Sequence, residues 1–249
     1  MRLLSVDWDY FFPSQEGLDA LEAALLWDWG HNENWGGALN EIVWISRAAA
    51  FLTRDLPLPL TSGAEDSFWN GVRIAKNAQL FIADSHVRAA SLEVMKGVTE
   101  VVNYDAHHDG GYGQDMADLF KNQQVDCGDW TFAYVMQNAR LETRYPEWRL
   151  RNPEQEPTVV YSMERNYWAE GDTDQKFFHK VFICRSGSWT PPWLDDKFVN
   201  FVKSCPVFAK LRQKNLVADL LVPREWSQKM AEDMAKANAE LLAVMKAAQ

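Results

Sequence analysis

Val101-Val102-Asn103-Tyr104-Asp105-Ala106-His107-His108-Asp109-Gly110-Gly111 is the stretch on which the reading of this chain turns. Apolar, β-branched residues run straight into Asp-Ala-His-His-Asp, and two glycines follow at once. That order describes a buried strand that ends in a loop of polar ligands. Asp105, His107 and Asp109 are two residues apart, so in extended backbone they point to one side. Two carboxylates flanking an imidazole on one face form a ready divalent-cation ligand set.

Two other segments have the same design. Residues 3–12 begin as an apolar strand, carry Asp7 and Asp9 near its carboxyl end, and stop at Pro13. An aspartate pair beside Trp8, Tyr10, Phe11 and Phe12 is costly to bury without a cation or hydrogen-bond partners. Capping of the following turn is the other reading of the pair, and the residues alone leave both open. Residues 79–86 form a third apolar run, ending in Asp84 and His86. A helix over 87–95 and a strand over 100–104 follow it, and strand, helix, strand in that order implies parallel neighbours.

In a parallel sheet the carboxyl ends of all strands lie along one edge, where ligands bind. Asp7, Asp9, His86, Asp105, His107 and Asp109 can therefore meet although they are far apart in sequence. With no thiolate in this set, manganese(II) is the favoured ion, one or two ions are accommodated, and zinc(II) or iron(II) remain open. Pocket candidates are His31 in the polar loop 31–37, His108, Cys127 and Asp129 in the segment 125–130, and Arg185 in the loop 185–192. His108 or His31 could shuttle a proton, or His108 could simply fix its loop.

The rest of the pattern supplies the frame. Helical spacing covers 17–29, 38–54, a short stretch around 65–75, 114–123, 131–138, 193–203 and 224–248. Strands are expected at 157–163 and 180–186, and a polar loop at 164–174. An edge strand or hairpin around 142–149 is the reading of the charged, aromatic segment 140–156. Nothing marks a domain boundary. The expected architecture is a single α/β domain over 1–249, three-layer α/β/α around a mostly parallel sheet.

Composition narrows the function classes. The chain has 249 residues, and 25 basic against 35 acidic residues leave a formal net charge of −10. That balance opposes binding to a nucleic-acid backbone or an anionic membrane and points to a small-molecule substrate, with an oligomer allowed. Cys127, Cys184 and Cys205 are odd in number and widely spaced, which indicates neither a disulfide framework nor a thiolate zinc cluster. Free thiols and the absence of a signal-like segment make a cytoplasmic location the expectation.

The motifs also carry a resemblance. Asp105-Ala106-His107-His108-Asp109 resembles the Asp-Ala-His-x-Asp signature of the arginase and agmatinase ureohydrolases. Asp105 to Gly111 is similar to a segment of the related histone-deacetylase-like enzymes. Ser5-Val6-Asp7-Trp8-Asp9 resembles the second ureohydrolase signature, Ser-x-Asp-x-Asp, and Ala83-Asp84-Ser85-His86 a degenerate form of the segment bearing the first metal-binding histidine. The resemblance implies an arginase- or deacetylase-like fold and a two-metal site. Asp105 would bridge, His86 and Asp109 would bind one ion, His107 the other, and Asp7 and Asp9 would complete the pair.

It also implies hydrolysis of a linear carbon–nitrogen bond by a metal-activated water. The Ser-x-Asp-x-Asp strand, which follows the central motif in ureohydrolases, here opens the chain, so the order implies a circular permutation. Asp126-Cys127-Gly128-Asp129-Trp130 stands where arginases carry a His-Gly-x-Pro-like segment, and it resembles the Gly-Asn-Trp element of arginase-like proteins. Glu164 is a weak counterpart for the substrate-recognising glutamate. Two other readings compete: a metal-binding protein of this fold that has lost catalysis and acts through a partner, and a two-metal phosphoesterase. The acidic balance and the lack of a phosphate-cradling Gly-Lys loop weigh against the phosphoesterase.

Overall fold

A computed structural model describes residues 1–13, 37–113, 116–122, 124–169, 171–210 and 220–247. The chain divides into two compact units. The first comprises Met1–Pro13, Thr61–Ser186 and Lys197–Val222, and the second comprises Ser14–Leu60, Gly187–Asp196 and Pro223–Gln249. The expected helix at 17–29 and the loop with His31 fall mainly outside the described residues.

The first unit is an α/β structure around one six-stranded sheet. Its strands are β1 (Arg2–Asp7), β2 (Arg73–Ala83), β3 (Glu100–Tyr104), β4 (Arg140–Pro146), β5 (Glu164–Trp168) and β6 (Phe177–Cys184). Their order is β2-β6-β1-β3-β4-β5, and every pairing is parallel. β1, fully buried, lies between β6 and β3. A strand buried on both faces has no need of polar alternation, which is why Leu3-Leu4 and Val101-Val102 read as continuous apolar runs.

Both faces of this sheet are covered. On one face Leu3, Val101, Leu141 and Phe182 pack with Ala89, Val94, Trp130, Phe132 and Tyr134. These partners come from the turn His86–Ala90, the short helices Leu92–Met95 (α2) and Thr131–Val135 (α4), and Trp130, which immediately precedes α4. On the other face Tyr104 meets Phe68 edge-on at 5.0 Å, and Trp8 lies 5.6 and 5.3 Å from Phe198 and Phe201. The last two belong to the helix α5 (Asp195–Ser204). The helix α3 (Met116–Asn122) completes the first unit's described helices.

In the second unit α1 (Gly37–Thr53) packs with α6 (Gln228–Ala247) through Ile45, Ala48 and Ala231, with Trp193 and Trp226 beside them. Trp44 donates its indole N–H to Gly187 O at 2.9 Å, and Arg224 holds Asp195 at 2.7 Å. None of the described helices is long and apolar enough to cross a membrane.

Several expectations change. The segment 65–75 is not a helix: it forms two 3-10 turns, Ala64–Asp66 and Phe68–Asn70, and then enters β2. Residues 140–156 hold neither a hairpin nor an edge strand, because β4 is an interior parallel strand between β3 and β5. Its charges are tolerated there because Arg144 lies 2.8 Å from Glu142 and 2.8 Å from Asp174.

Residues 157–163 form no strand, and the edge strand is β5, inside the expected loop 164–174. The amides of Thr158, Val159 and Val160 instead donate to the carbonyls of Gly111 and Gly110. A side chain at Gly111, with φ +96°, would meet Val159 Cγ2 at 2.5 Å, so glycine is required for that docking.

Candidate metal centre

The three strand ends meet at the carboxyl edge, though not by strand alternation. β1 stops at Asp7, and Trp8–Phe11 is a 3-10 turn that Asp7 caps by accepting from Asp9 N at 3.0 Å. β3 likewise stops at Tyr104, so Asp105, His107 and Asp109 lie on the following loop, where Asp109 takes φ +51°. Both the capping reading and the clustering reading of Asp7 therefore hold at once.

All six proposed ligands converge. His86 Nδ1 lies 3.0 Å from Asp7 Oδ2, 3.2 Å from Asp105 Oδ2 and 3.0 Å from Asp109 Oδ2. His107 Nδ1 lies 2.8 Å from Asp9 Oδ2 and 3.7 Å from Asp105 Oδ1. Asp105 thus turns one oxygen to each imidazole. His86, Asp7, Asp105 and Asp109 are buried, whereas the His107 side chain is 25% exposed, so the cluster has an inner and an outer half.

Neighbouring side chains hold these groups in place. Ser5 Oγ meets His86 Nε2 at 2.7 Å, which leaves Nδ1 to face the carboxylates. The His86 ring stacks on Trp130 at 4.7 Å and on Phe182 at 5.7 Å. The Trp130 indole also donates to Asp109 Oδ2 at 2.6 Å, and Thr131 donates to the Asp109 carbonyl. Asn103 Nδ2 donates to Asp105 Oδ2 at 2.9 Å, and Ser186 Oγ donates to Asp7 Oδ2 at 2.5 Å. Ser186 takes φ +48°, a left-handed conformation that bends the chain directly after β6.

The electrostatics are those of a site with too much negative charge. Burial pushes the Asp7 carboxyl up to about 7, with Asp9 and Asp105 adding to the effect. Burial, followed by the charge of Asp105, also raises Asp9 and Asp109. Burial alone would lower both imidazoles, but the surrounding carboxylates outweigh it and hold His86 and His107 well above the ordinary value. Asp105 is the exception: burial would raise it, and the two imidazoles together hold it far below the usual range.

These residues fit a divalent cation. Asp9, Asp105 and His107 form one group of ligand atoms within 4.8 Å of one another, and His86, Asp105 and Asp109 form a second. His86 Nδ1 is buried and close to three carboxylate oxygens, yet it is aligned for a hydrogen bond with none of them. An imidazole nitrogen ringed by carboxylates without a directed bond has the surroundings of a metal ligand. The buried acidic and histidine groups could bind a divalent metal.

The pocket candidates fare differently. His31 lies outside the described residues. His108 accepts from Gly110 N at 2.9 Å through Nδ1 and stacks on Tyr112 at 4.4 Å, and burial lowers its pKa. It therefore braces the loop as a neutral ring. Asp129 is buried and accepts from Asp126 N at 2.7 Å, which shapes the turn before Trp130, and Cys127 is a half-buried residue of that turn. Arg185 binds Asp84 at 2.7 Å, which explains why Asp84 stays out of the cluster. Glu164 opens β5 at the amino edge of the sheet, paired with Arg140, away from the carboxyl edge.

Sequence reading missed Cys184. Its sulfur forms a third close group with Asp7 and His86, and its strand position pairs with Asp7 across β1 and β6. No local signal marks such a neighbour, because the register that joins two strands 177 residues apart cannot be read from either alone. Comparison of the chain with protein-family models, with curated proteins and with solved structures returned no match.

Proposed function

We propose that this protein is a metal-dependent hydrolase of a linear carbon–nitrogen bond other than a peptide bond, of ureohydrolase or amide-deacetylase type, acting on a small molecule. The observation that supports this reading is the convergence of Asp7, Asp9 and His86 on the Asp105-to-Asp109 loop. Two divalent cations would share Asp105, the outer held with Asp9 and His107, the inner with His86, Asp109 and Asp7. Manganese(II) suits the oxygen-rich set, with zinc(II) and iron(II) as alternatives. When bound, such a pair supplies Lewis acidity and a water whose pKa falls towards about 7.

The chain's own groups then have distinct tasks. Ser5 fixes the His86 tautomer, because its oxygen can accept the Nε2–H while Nδ1 stays available. Trp130 fixes the Asp109 carboxylate and covers the His86 ring, keeping water out of the inner half. Arg149 donates to Ala106 O at 2.7 Å and steadies the loop between Asp105 and His107. The exposed edge of His107 marks the side from which substrate would enter. None of the three cysteines forms a disulfide, which suits a reducing compartment such as the cytoplasm.

Elemental analysis of the purified protein, followed by assays against guanidino compounds and N-acetylated amines, tests the proposal. The expected result is stoichiometric divalent metal together with urea or amine release that chelation abolishes. Metal without turnover on either panel would replace this reading with that of a metal-binding protein acting through a partner.

A further inference from the structure

A buried cysteine is ordinarily a small apolar core residue. Cys205 fits that description: it is buried, and burial pushes its thiol up to about 11. Cys184 has different surroundings. It ends β6 in register with Asp7 of β1, and residues paired in parallel strands project to the same face. Phe182, two residues earlier, lies flat against the His86 ring, so Cys184 emerges beside that imidazole. Its Sγ stands 3.1 Å from Ser186 Oγ, which donates to Asp7. Its sulfur, a carboxylate oxygen of Asp7 and a ring nitrogen of His86 all lie within 4.8 Å of one another. A second observation points to a ligand here: His86, 1% exposed, turns Nδ1 towards this place without a directed hydrogen bond.

We propose that Cys184 is a sulfur ligand of the inner cation position, with His86 and Asp7, and that this position takes a borderline-soft divalent ion, zinc(II) or iron(II), ahead of manganese(II). The inference rests on the reading of the cluster as a metal site and deepens it. The outer position, with Asp9, Asp105 and His107, offers only oxygen and nitrogen, which suits a harder ion. The two halves would then hold chemically different ions. On binding, the thiol S–H bond breaks, its electron pair forms the sulfur–metal bond, and the proton leaves to solvent. Affinity at the inner position therefore falls as protons become more abundant.

Cobalt(II), a spectroscopic stand-in for zinc(II), tests the assignment on the metal-free full-length protein. The expected result is ligand-field bands together with a near-ultraviolet thiolate-to-cobalt charge-transfer band. Both should survive in the Cys127→Ser/Cys205→Ser double variant, where Cys184 is the remaining thiol. In Cys184→Ser the charge-transfer band should vanish, and zinc(II) should bind about 10–100-fold more weakly, while manganese(II) changes by less than about threefold. Circular dichroism of the chelated protein checks that the variant folds, and if it does not, the double variant decides alone. Ligand-field bands without a charge-transfer band in the wild-type or double variant overturn the sulfur assignment and leave the metal site standing. The absence of any cobalt band overturns both.

Discussion

Two buried ionic clusters lie in the sheet-containing unit, and they solve the same problem in opposite ways. One is balanced within the chain. Asp174 lies 2.7 Å from Arg2 and 2.8 Å from Arg144, Glu100 and Glu142 lie 3.0 and 2.8 Å from the same two guanidiniums, and Lys176 supplies the third positive charge 3.5 Å from Glu100. Burial would raise Asp174 and Glu142, and the arginines more than reverse it, holding both below their ordinary values. The other cluster contains four aspartates and two imidazoles, and among the described residues no lysine or arginine pairs with its carboxylates. There burial wins, and three of the four carboxyls are raised. A balanced ion network is a structural element. An unbalanced one is left to take up protons, or a cation from outside the chain.

The largest expected effect comes from breaking the balanced cluster. Asp174→Ala leaves two buried guanidiniums short of a partner, which costs about 3–5 kcal/mol when no other partner remains. Because Glu100 and Glu142 still contact them, the loss should fall near the low end, about 3 kcal/mol, in chemical denaturation. Metal stoichiometry should not change. A loss of metal in Asp174→Ala would show that the two clusters are not independent.

The unbalanced cluster should respond the other way round. At a concentration 100 times its Kd, a divalent cation is expected to stabilise the protein by about 2.7 kcal/mol. For a chain of this size that is a rise in Tm of roughly 5–10 °C. Asp105→Ala removes the shared carboxylate, so it should abolish that rise while leaving the metal-free protein folded. An undiminished rise in Asp105→Ala would contradict a bridging role.

The clusters should also separate along the pH axis. Asp7, raised from 3.8 to about 7, adds stability below its ordinary pKa, and that stability is lost as pH climbs through about 7. Asp9, Asp109, His86 and His107 are also raised and act in the same direction. Asp174 and Glu142 are lowered, so their contribution is present above their ordinary values and lost only as pH falls through the lower folded ones. Metal-free protein should therefore weaken between about pH 4 and 7 as pH rises, and metal should offset this. The Tm gain on adding metal should be larger at pH 8 than at pH 5; an equal gain would count against direct competition between protons and metal.

Much of this is legible in the sequence, and the limits have physical causes. The motif at Asp105 and the strand ends at Asp7 and His86 could be read because apolar runs stopping at polar groups are local, and parallel topology brings such ends to one edge. Strand alternation was the wrong reason for their convergence, since Asp9 sits in a 3-10 turn and Asp109 in a loop with positive φ. The segment 157–163 read as a strand because its valines are buried, yet their amides bond to the glycine turn instead of a neighbouring strand. β4 read as peripheral because its charges are visible in sequence while their partners, Asp174 above all, are not. Cys184 and Trp130 depend on register and packing between distant segments, which no window of sequence contains.

The smallest effect worth measuring separates packing from positioning inside the candidate metal centre. Trp130 does two things at once: its ring covers His86 at 4.7 Å, and its N–H holds Asp109 Oδ2 at 2.6 Å. Trp130→Phe keeps an aromatic surface for the imidazole and removes the donor. The Asp109 backbone remains held by Thr131 and by Tyr112, whose hydroxyl accepts from Asp109 N at 3.3 Å, so the loop should keep its course. The carboxylate alone gains freedom, which places the expected cost at the low end for a group that orients a ligand: about tenfold in metal affinity, or 1.4 kcal/mol. Calorimetric titration reads the affinity, and the Tm of the chelated protein reads the packing. If metal affinity holds while the chelated Tm falls, Trp130 is only a core residue. If affinity falls with little change in that Tm, the indole N–H belongs to the metal centre, and the unbalanced cluster is shaped for an ion by groups that carry no charge themselves.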